Sequence, residues 1–411
     1  MPEFFNVLPP DQAITLLFEH LQPELESEVV ATESSMGRIL FEDITSSENL
    51  PLFARSSMDG FAVRAEDTFG ASGSLPSYLT VAAEVPVGTT TKSIVHLGTS
   101  IKVHTGSALP IGANAVLIME NTQYVDEETI EVLRPVASGE NVILEGEEIK
   151  AKATVFRKGA VVRAQDIGGL MALGITKVTV TRKVRVALIS TGDEVIHPTR
   201  TPLPGQVRDI NSYTLASLIQ KYPALTVKSH LVRDNLSQLR KVARKSLELA
   251  DMLIISAGSS VSSRDLTSSI INDLGTPGVI THGLAIKPGK PTILGVVGNK
   301  PVFGLPGNPV SAINVFDLIV RPTIYYMGGC DFSPYPNTQK AVLLKNIPSA
   351  PGREDYVQVK LISDNGELFA DPVFGESNLI YLLVRSDGTV SVPLNKNGLY
   401  AGEEVTVHIN D

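Results

Sequence analysis

The run Leu253-Ile254-Ile255, followed by Ser256-Ala257-Gly258-Ser259-Ser260-Val261-Ser262-Ser263-Arg264-Asp265, decides the fold. A short apolar run predicts a strand buried on both faces of a sheet. The small residues after it predict a tight loop, and the next segment, Leu266–Leu274, predicts a helix capped by Asp265. A buried strand that leads through such a loop into a helix presents backbone N–H groups and about half a positive charge to a ligand. The stretch therefore predicts an anion site on an α/β domain.

Two segments further along the chain strengthen that prediction. Ile286-Lys287-Pro288-Gly289-Lys290-Pro291 carries two lysines three residues apart in a loop stiffened by proline. Leu305-Pro306-Gly307-Asn308-Pro309-Val310-Ser311-Ala312 opens another helix. Together the three segments indicate a ligand that bears phosphate groups or another oxyanion.

Residues 182–328 alternate predicted strands with predicted helices, which is typical of a largely parallel sheet with helices on both faces. The predicted strands are Val184–Ser190, Leu225–Val232, Met252–Ser256, Val279–Leu284 and Val302–Leu305. The predicted helices are Asn211–Lys221, Ser237–Leu249, Leu266–Leu274 and Pro309–Tyr325. Ligands of such sheets bind beyond the carboxyl ends of the strands. Three polar loops follow strands there: Ser190-Thr191-Gly192-Asp193-Glu194, the serine loop 256–265, and Pro306-Gly307-Asn308-Pro309.

The rest of the chain predicts three further domains. Residues 1–50 and 146–181 form a helical and linker domain, with a second short helix expected near Glu33 to Leu40. Residues 51–145 form an inserted, mostly-β domain, whose predicted strands are Leu79–Val85, Ser93–Leu97, Ser100–His104, Ala115–Met119 and Ile130–Val132. Residues 329–411, with turns such as Asp364-Asn365-Gly366, predict a small C-terminal β-barrel or sandwich.

Composition excludes several classes of protein. The formal net charge of -9 argues against nucleic acid as a partner. Cys330 is the only cysteine, so an internal disulfide and a cysteine-based zinc site are both excluded. No apolar run approaches the ~18 residues of a membrane span, and the first residues do not resemble a signal peptide. The expected location is therefore cytoplasmic, without membrane contact.

Four carboxylates in or beside loops leave two interpretations open. As single residues, each is a helix cap or a surface acid; together with Lys287 and Lys290 they could hold a hard cation such as Mg²⁺ and a phosphate. They are Asp59, Glu194, Asp234 and Asp265. The standard nucleotide and hydrolase signatures, GxxxxGK[ST], GxGxxG after a strand and GxSxG, do not occur.

The segment Ser-Ser-Met-Asp-Gly-Phe-Ala-Val-Arg (56–64) resembles the SAMDGYAVR signature of the MoeA family, the molybdopterin molybdenumtransferases, which is related to the E domain of gephyrin. The similarity extends in order over nearly the whole chain. It includes Thr105-Gly106, residues 190–194, Arg233-Asp234, the serine loop, Lys287-Pro288-Gly289-Lys290-Pro291, residues 305–311, Pro351-Gly352-Arg353 and Glu376-Ser377-Asn378.

The resemblance implies a homodimer with four subdomains per chain, the third of which binds molybdopterin. The implied reaction inserts molybdate into adenylylated molybdopterin and releases AMP, assisted by Mg²⁺. The implied site is shared between the third subdomain of one chain and the second subdomain of the other. The upstream adenylyltransferase is a further expected partner. An isolated adenylyltransferase is disfavoured, because the chain has three additional domains.

The resemblance also assigns residues to roles. The catalytic candidates are Asp59, Glu194, Asp234, Asp265, Lys287 and Lys290, of which Asp234 and Asp265 are the metal candidates. The substrate-binding candidates are Thr105, Thr191, Gly192, Gly258, Ser259, Ser260, Pro306, Gly307, Asn308, Pro309 and Ser311. The molybdate-binding candidates are Lys290, Arg353 and Ser377.

Two alternatives and one departure accompany the resemblance. A paralogue that inserts tungstate would carry the same residues, since the two oxyanions are nearly identical in size and charge. A non-catalytic molybdopterin-binding scaffold is the other alternative, and the intact lysines and carboxylates argue against it.

Within the serine loop, Ala257 and Ser262 stand where the family pattern SGGxSxG has glycine. These two substitutions affect the expected fit of the ligand rather than the fold.

Overall fold

A computed structural model describes residues 7–257, 261–330 and 337–410, and for residues 261–265 it describes the backbone only. The chain divides into two compact units. The first unit comprises residues 1–41, 159–163 and 177–411, and the second comprises residues 42–158 and 164–176. Within the described part of the chain, no helix is long and apolar enough to cross a membrane.

The first unit is built on a six-stranded sheet in the part of the chain that the structure describes. In spatial order its strands are Ala224–Val232, Val184–Thr191, Met252–Ala257, Lys300–Pro306, Ile293–Val297 and Pro277–His282. The first four run parallel, as predicted, whereas the last two are antiparallel to their neighbours. The strand Ile293–Val297 was not predicted, and the predicted strand Val279–Leu284 lies two residues earlier.

Helices cover both faces of this sheet, which explains why its strands are apolar without alternation. Along the strand Val184–Thr191, Val186 and Leu188 pack into one core, and Ala187 and Ile189 pack into the other. The helices of the domain are Asn211–Gln220, Leu236–Leu249, Val261–Leu274 and a continuous helical run made of Pro309–Val315, the π-helical Phe316–Val320 and Arg321–Met327. The architecture is thus the predicted three-layer α/β/α arrangement.

The helix after the serine loop begins earlier than predicted. It starts at Val261 and not at Leu266, so Asp265 is its fifth residue and the prediction that Asp265 caps it is wrong. The hydroxylated residues 262–263 resembled a loop in sequence. Because serine is tolerated in the first turn of a helix, the sequence did not distinguish the loop from the helix start.

The C-terminal segment forms a closed five-stranded β-barrel within the described residues. Its strands are Glu354–Asp364, Glu367–Pro372, Thr338–Leu343, Glu404–Ile409 and Gly388–Val392, and the last pairs with the first to close the ring. The short strand Ile286–Lys287 of the preceding domain adds to the barrel, parallel to Glu354–Asp355. This pairing places the lysine-containing loop beside the barrel.

The N-terminal part of the first unit is less helical than predicted. The helix Pro10–Glu19 forms, with Ala13 and Leu17 fully buried. The helix predicted near Glu33 to Leu40 is wrong, because only the 3₁₀ turn Thr32–Ser34 occurs there. The preceding residues instead form the strand Ser27–Ala31, which pairs with Lys177–Thr181.

The second unit contains a six-stranded sheet among its described residues, together with the helix Ala164–Ala172. Its strands, in spatial order, are Ala115–Ile118, Gly60–Val63, Thr99–Val103, Ser77–Val85, Thr129–Val132 and Thr122–Tyr124. The strand predicted at Ser93–Leu97 is wrong, since that segment is held as a loop by the buried Val95, whose N–H bonds to the Ile111 carbonyl. The fully buried strand Gly60–Val63 was not among the predicted strands.

Candidate active site

A cavity of about 260 Å³ lies at the carboxyl ends of the parallel strands of the first unit. Three of the polar loops predicted to bind an anion contribute to it. It is lined by Ser190, Thr191, Glu194, Val195, Val207, Arg208, Asp209, Ile210, Asn211, Ser256, Ala257, Gly307, Asn308, Pro309 and Asn378. The structure therefore brings Thr191, Glu194, Gly307, Asn308 and Pro309 together as predicted.

The loop after the first parallel strand is fixed by side-chain hydrogen bonds. The buried Thr191 hydroxyl donates to Asp234 Oδ1 at 2.6 Å. Ser190 Oγ donates to Asp209 Oδ1 at 3.3 Å. The first bond joins two predicted residues, Thr191 and Asp234, which come from different loops. Thr191 lines the cavity, whereas Asp234 does not.

Asn211 is a site residue that the sequence analysis recognised only as the start of a helix. Its side chain is 8% exposed, and Nδ2 donates to Ser256 Oγ at 2.8 Å and to the Gly307 carbonyl at 2.9 Å. A single amide thus ties the end of one parallel strand to the loop after another. The sequence did show a polar residue in the first turn of a helix that follows a strand, which could have indicated a site residue. The same pattern fits an ordinary helix-capping residue, so it did not single out Asn211.

The barrel contributes a loop to the same site. Asn308 Nδ2 donates to Ser377 Oγ at 2.9 Å, and the Val310 N–H donates to the Ser377 carbonyl at 3.1 Å. The neighbouring Asn378 lines the cavity. Ser377, a predicted molybdate-binding residue, therefore lies directly against the loop that opens the helix at Pro309.

The strand pairing between Ile286–Lys287 and the barrel brings two predicted cationic residues to one edge. Lys287 is the register partner of Asp355, a carboxylate that is only 4% exposed. Asp355 accepts from Arg353 Nε at 2.8 Å and from Nη2 at 3.4 Å. This buried carboxylate thus orients the guanidinium of Arg353 next to the strand that carries Lys287. Lys290 is exposed in the loop that follows.

The turn between the two lysines requires glycine. Gly289 has a φ of +120°, and a Cβ there would lie 2.8 Å from both Ile286 Cδ1 and Val315 Cγ2. Only glycine satisfies this backbone angle and this close approach. The carbonyl of Lys290 accepts from the N–H groups of Leu284 and Thr292, each at 2.9 Å, so the backbone of the lysine loop is well defined.

Several predicted residues fall elsewhere. Gly258, Ser259 and Ser260, and the side chains of Ser262 and Asp265, lie outside the described residues. Pro306 and Ser311 are buried, and neither they nor Gly192 line the cavity. Ala257 is the last residue of its strand and pairs in register with Pro306. Its backbone is therefore extended, a conformation that alanine adopts without strain.

Asp59 and Thr105 meet in the second unit. The Thr105 N–H donates to Asp59 Oδ1 at 2.8 Å, and the Thr105 hydroxyl donates to the same oxygen at 3.2 Å. The backbone hydrogen bond from Thr105 is the main cause that lowers the pKa of Asp59, and the Thr105 hydroxyl and the nearby His104 act in the same direction. Asp59 is thus held as an exposed, ionised carboxylate.

The donor set of the first unit fits a magnesium ion that is held mainly by its substrate. Among the described residues, no three His, Cys, Asp or Glu side chains form a complete metal cage. Mg²⁺ in phosphate chemistry needs only one or two carboxylates, because phosphate oxygens and water complete its coordination. Asp234, with the Thr191 hydroxyl beside it, supplies such a carboxylate.

The first unit is therefore of the class in which an α/β domain carries a polar cavity at its strand ends and a following β-barrel contributes a loop to that cavity. Family models match nearly the whole chain. They are "MoeA N-terminal region (domain I and II)" over residues 8–174, "Probable molybdopterin binding domain" over residues 187–326 and "MoeA C-terminal region (domain IV)" over residues 340–409. The chain belongs to the MoeA family.

Individual relatives agree with this family over more than nine-tenths of their length. The molybdopterin molybdenumtransferase of Haemophilus influenzae is 31% identical to this chain, and the alignment covers 97% of each sequence. The enzyme of the same name from Staphylococcus epidermidis is 29% identical, covering 94% of this chain and 92% of its own. The crystal structure of the molybdopterin biosynthesis moeA protein from Pyrococcus horikoshii has a TM-score of 0.85 at 33% identity, covering 98% of this chain and all of that one.

Proposed function

We propose that the protein is a molybdopterin molybdenumtransferase. It takes adenylylated molybdopterin and molybdate, inserts the metal into the dithiolene of the pterin and releases AMP. The observation that carries the proposal is the cavity in which three predicted loops of the α/β domain meet a loop of the barrel. In a member of the MoeA family, a polar cavity at this position fits the pterin and its phosphate.

Three cationic side chains at the edge of the barrel match the needs of this reaction, although none of them lines the cavity itself. A pyrophosphate group and molybdate are both anions, so bringing them together requires preorganised positive charge. Lys287, Lys290 and Arg353 supply it, and the bidentate contact from Asp355 keeps the arginine fork oriented. Ser377, held by Asn308, offers a hydroxyl to the oxyanion. These four residues form the proposed neutralising and molybdate-binding group.

The carboxylates have separate proposed roles. Asp234 and Asp265 would hold Mg²⁺, which would supply positive charge to the phosphate oxygens when bound. The Thr191 hydroxyl orients Asp234 for this task. Glu194, at the wall of the cavity, and the ionised Asp59 orient or activate the water that attacks the phosphoanhydride.

The assembly is also part of the proposal. The family resemblance supports a homodimer in which the Asp59 region of one chain completes the cavity of the other. It also supports transfer of the substrate from an upstream adenylyltransferase, with both proteins in the cytoplasm.

Metal transfer to the pterin tests the proposal directly. The protein is incubated with adenylylated molybdopterin, molybdate and Mg²⁺, and the molybdenum bound to the released pterin is measured by mass spectrometry. We expect metal in the pterin only when the protein is present. If the protein cleaves the phosphoanhydride at the same rate but the released pterin carries no metal, the protein is a hydrolase and not a metal-inserting enzyme.

A further inference from the structure

Three titratable side chains form a row at one end of the sheet in the second unit. His104 lies in the middle, with Nε2 at 2.7 Å from Glu84 Oε1 and Nδ1 at 3.9 Å from Asp59 Oδ1. Lys102 Nζ lies 3.6 Å from Glu84 Oε1 on the far side. A single imidazole thus separates a structural carboxylate from the carboxylate that the proposed function uses.

The backbone around this row is firmly fixed. The His104 N–H donates to Ser107 Oγ at 3.1 Å, and that hydroxyl donates to the Val85 carbonyl at 3.0 Å. On the other side, a Cβ at Gly60 would lie 2.0 Å from the Leu117 carbonyl oxygen, so the strand after Asp59 packs closely against its neighbour. The relative positions of Glu84, His104 and Asp59 are therefore built into the sheet.

The imidazole of His104 places one nitrogen against each carboxylate. Glu84 accepts from the Nε2–H of the ring, and Nδ1 faces Asp59 Oδ1. His104 thereby adds to the larger effect of Thr105 on Asp59. Among the described residues, the charged groups that face the ring are Glu84 and Asp59, with Lys102 behind Glu84.

The carboxylates remain ionised on both sides of the ring. The hydrogen bond from His104 is the main cause that lowers the pKa of Glu84, and Lys102 adds to it. Thr105 lowers the pKa of Asp59 through its N–H and its hydroxyl, as described above. Thr105 and His104 both approach Oδ1 of Asp59, Thr105 through two hydrogen bonds and His104 with Nδ1 at 3.9 Å.

We infer that His104 is a positioning residue for the reaction, which together with Thr105 fixes the orientation of the Asp59 carboxylate. This inference rests on the proposed function, because it assigns His104 a task only if Asp59 acts on the substrate. Glu84 serves as the anchor that orients the imidazole. No proton transfer by His104 is required.

The test compares His104→Gln with the wild type in single-turnover and steady-state assays of AMP release. Glutamine can still donate to Glu84 but lacks the ring nitrogen that faces Asp59. We expect kcat to fall about tenfold, because small misplacements of a reacting group are costly, while KM stays within about twofold. An unchanged kcat, or a loss that lies entirely in KM, would overturn the inference.

A double-mutant cycle separates this inference from the proposed function. If His104 acts through Asp59, adding His104→Gln to Asp59→Asn should slow the reaction no further. A full additional loss would refute the coupling. If Asp59→Asn alone is as fast as the wild type, the role of Asp59 in the proposed function fails. If Asp59→Asn is slow and His104→Gln is not, only the His104 inference fails.

A second variant protects the test against a folding defect. Glu84→Gln removes the anchor of the imidazole without touching Asp59. We expect a smaller loss of kcat than in His104→Gln, with an unchanged KM and a melting temperature close to that of the wild type. A folded Glu84→Gln protein with an unchanged kcat would contradict the anchoring role and, with it, the inference.

Discussion

Lys290 is exposed, whereas the backbone that carries it is fixed by hydrogen bonds to its carbonyl. Lys290→Ala should therefore leave the melting temperature nearly unchanged. We expect turnover to fall by about 100-fold, because the lost charge stabilises the anionic transition state in a preorganised site. Lys360→Ala, which removes an exposed lysine from a barrel strand, is the matched control and should retain full activity. Unchanged AMP release by Lys290→Ala would remove this lysine from the site.

Gly289 tests whether the geometry of the lysine turn matters independently of charge. Gly289→Ala introduces both a positive-φ strain and contacts of 2.8 Å with Ile286 and Val315. We expect a loss of about 2–4 kcal/mol in the free energy of unfolding, since strain and overpacking add. Gly298→Ala is the control, because its φ is +63° and a Cβ there meets nothing within 4 Å. Gly298→Ala should lower the free energy of unfolding only by the backbone strain, about 1 kcal/mol. Equal losses in urea denaturation would contradict the steric argument.

At the scale of residues, the sequence predicted side chains whose chemistry is self-evident. The lysines of the KPGKP segment, Asn308 and Thr191 were recognised because charge, proline and small residues cluster around them. Asn211 and Asp355 were missed, because a lone polar residue in a helix start or a strand does not reveal its partners. Their importance follows from burial and hydrogen bonds that only the fold creates.

Among the elements, the barrel strand Glu404–Ile409 carries a histidine that links stability to pH. Burial, assisted by the positive charge of Arg321, lowers the pKa of His408. The unfolded chain then binds this proton more readily than the folded one. The free energy of unfolding should therefore decrease as pH falls from about 6.5, the ordinary histidine value, and level off below the folded pKa.

The variant His408→Gln should lose this component of the pH dependence. Chemical denaturation of both proteins between pH 8 and pH 5 measures it, and the values at pH 8 correct for the lost side chain itself. Parallel curves for the two proteins across this range would show that His408 does not titrate differently on folding.

At the same scale, the sequence predicted buried parallel strands well and irregular strands poorly. The strands Val184–Thr191 and Met252–Ala257 are continuous apolar runs, so their burial is evident from composition. The strand Gly60–Val63 begins with glycine beside an aspartate and looked like a loop, although all four residues are buried. Its conformation depends on pairing with two neighbouring strands, which local sequence does not encode.

For the whole molecule, the proposed dimer predicts complementation between impaired chains. Asp59→Asn and Lys290→Ala chains, each expected to be much slower than the wild type alone, should regain activity when mixed under conditions of subunit exchange. In a heterodimer, one of the two shared sites would contain only wild-type residues from both chains. Exchange is verified by differently tagged chains that co-purify. Verified exchange without any return of AMP release would contradict a site shared between subunits.

The central claim is that the protein couples cleavage of adenylylated molybdopterin to metal insertion. The most direct measurement is AMP release under single-turnover conditions with molybdate, with tungstate and with neither oxyanion. We predict rapid release of one AMP per pterin with molybdate and little release without an oxyanion. Faster AMP release with tungstate than with molybdate would identify a tungstate-inserting enzyme of the same family. Release that is equally fast without any oxyanion would contradict the claim, because cleavage would then proceed independently of the metal.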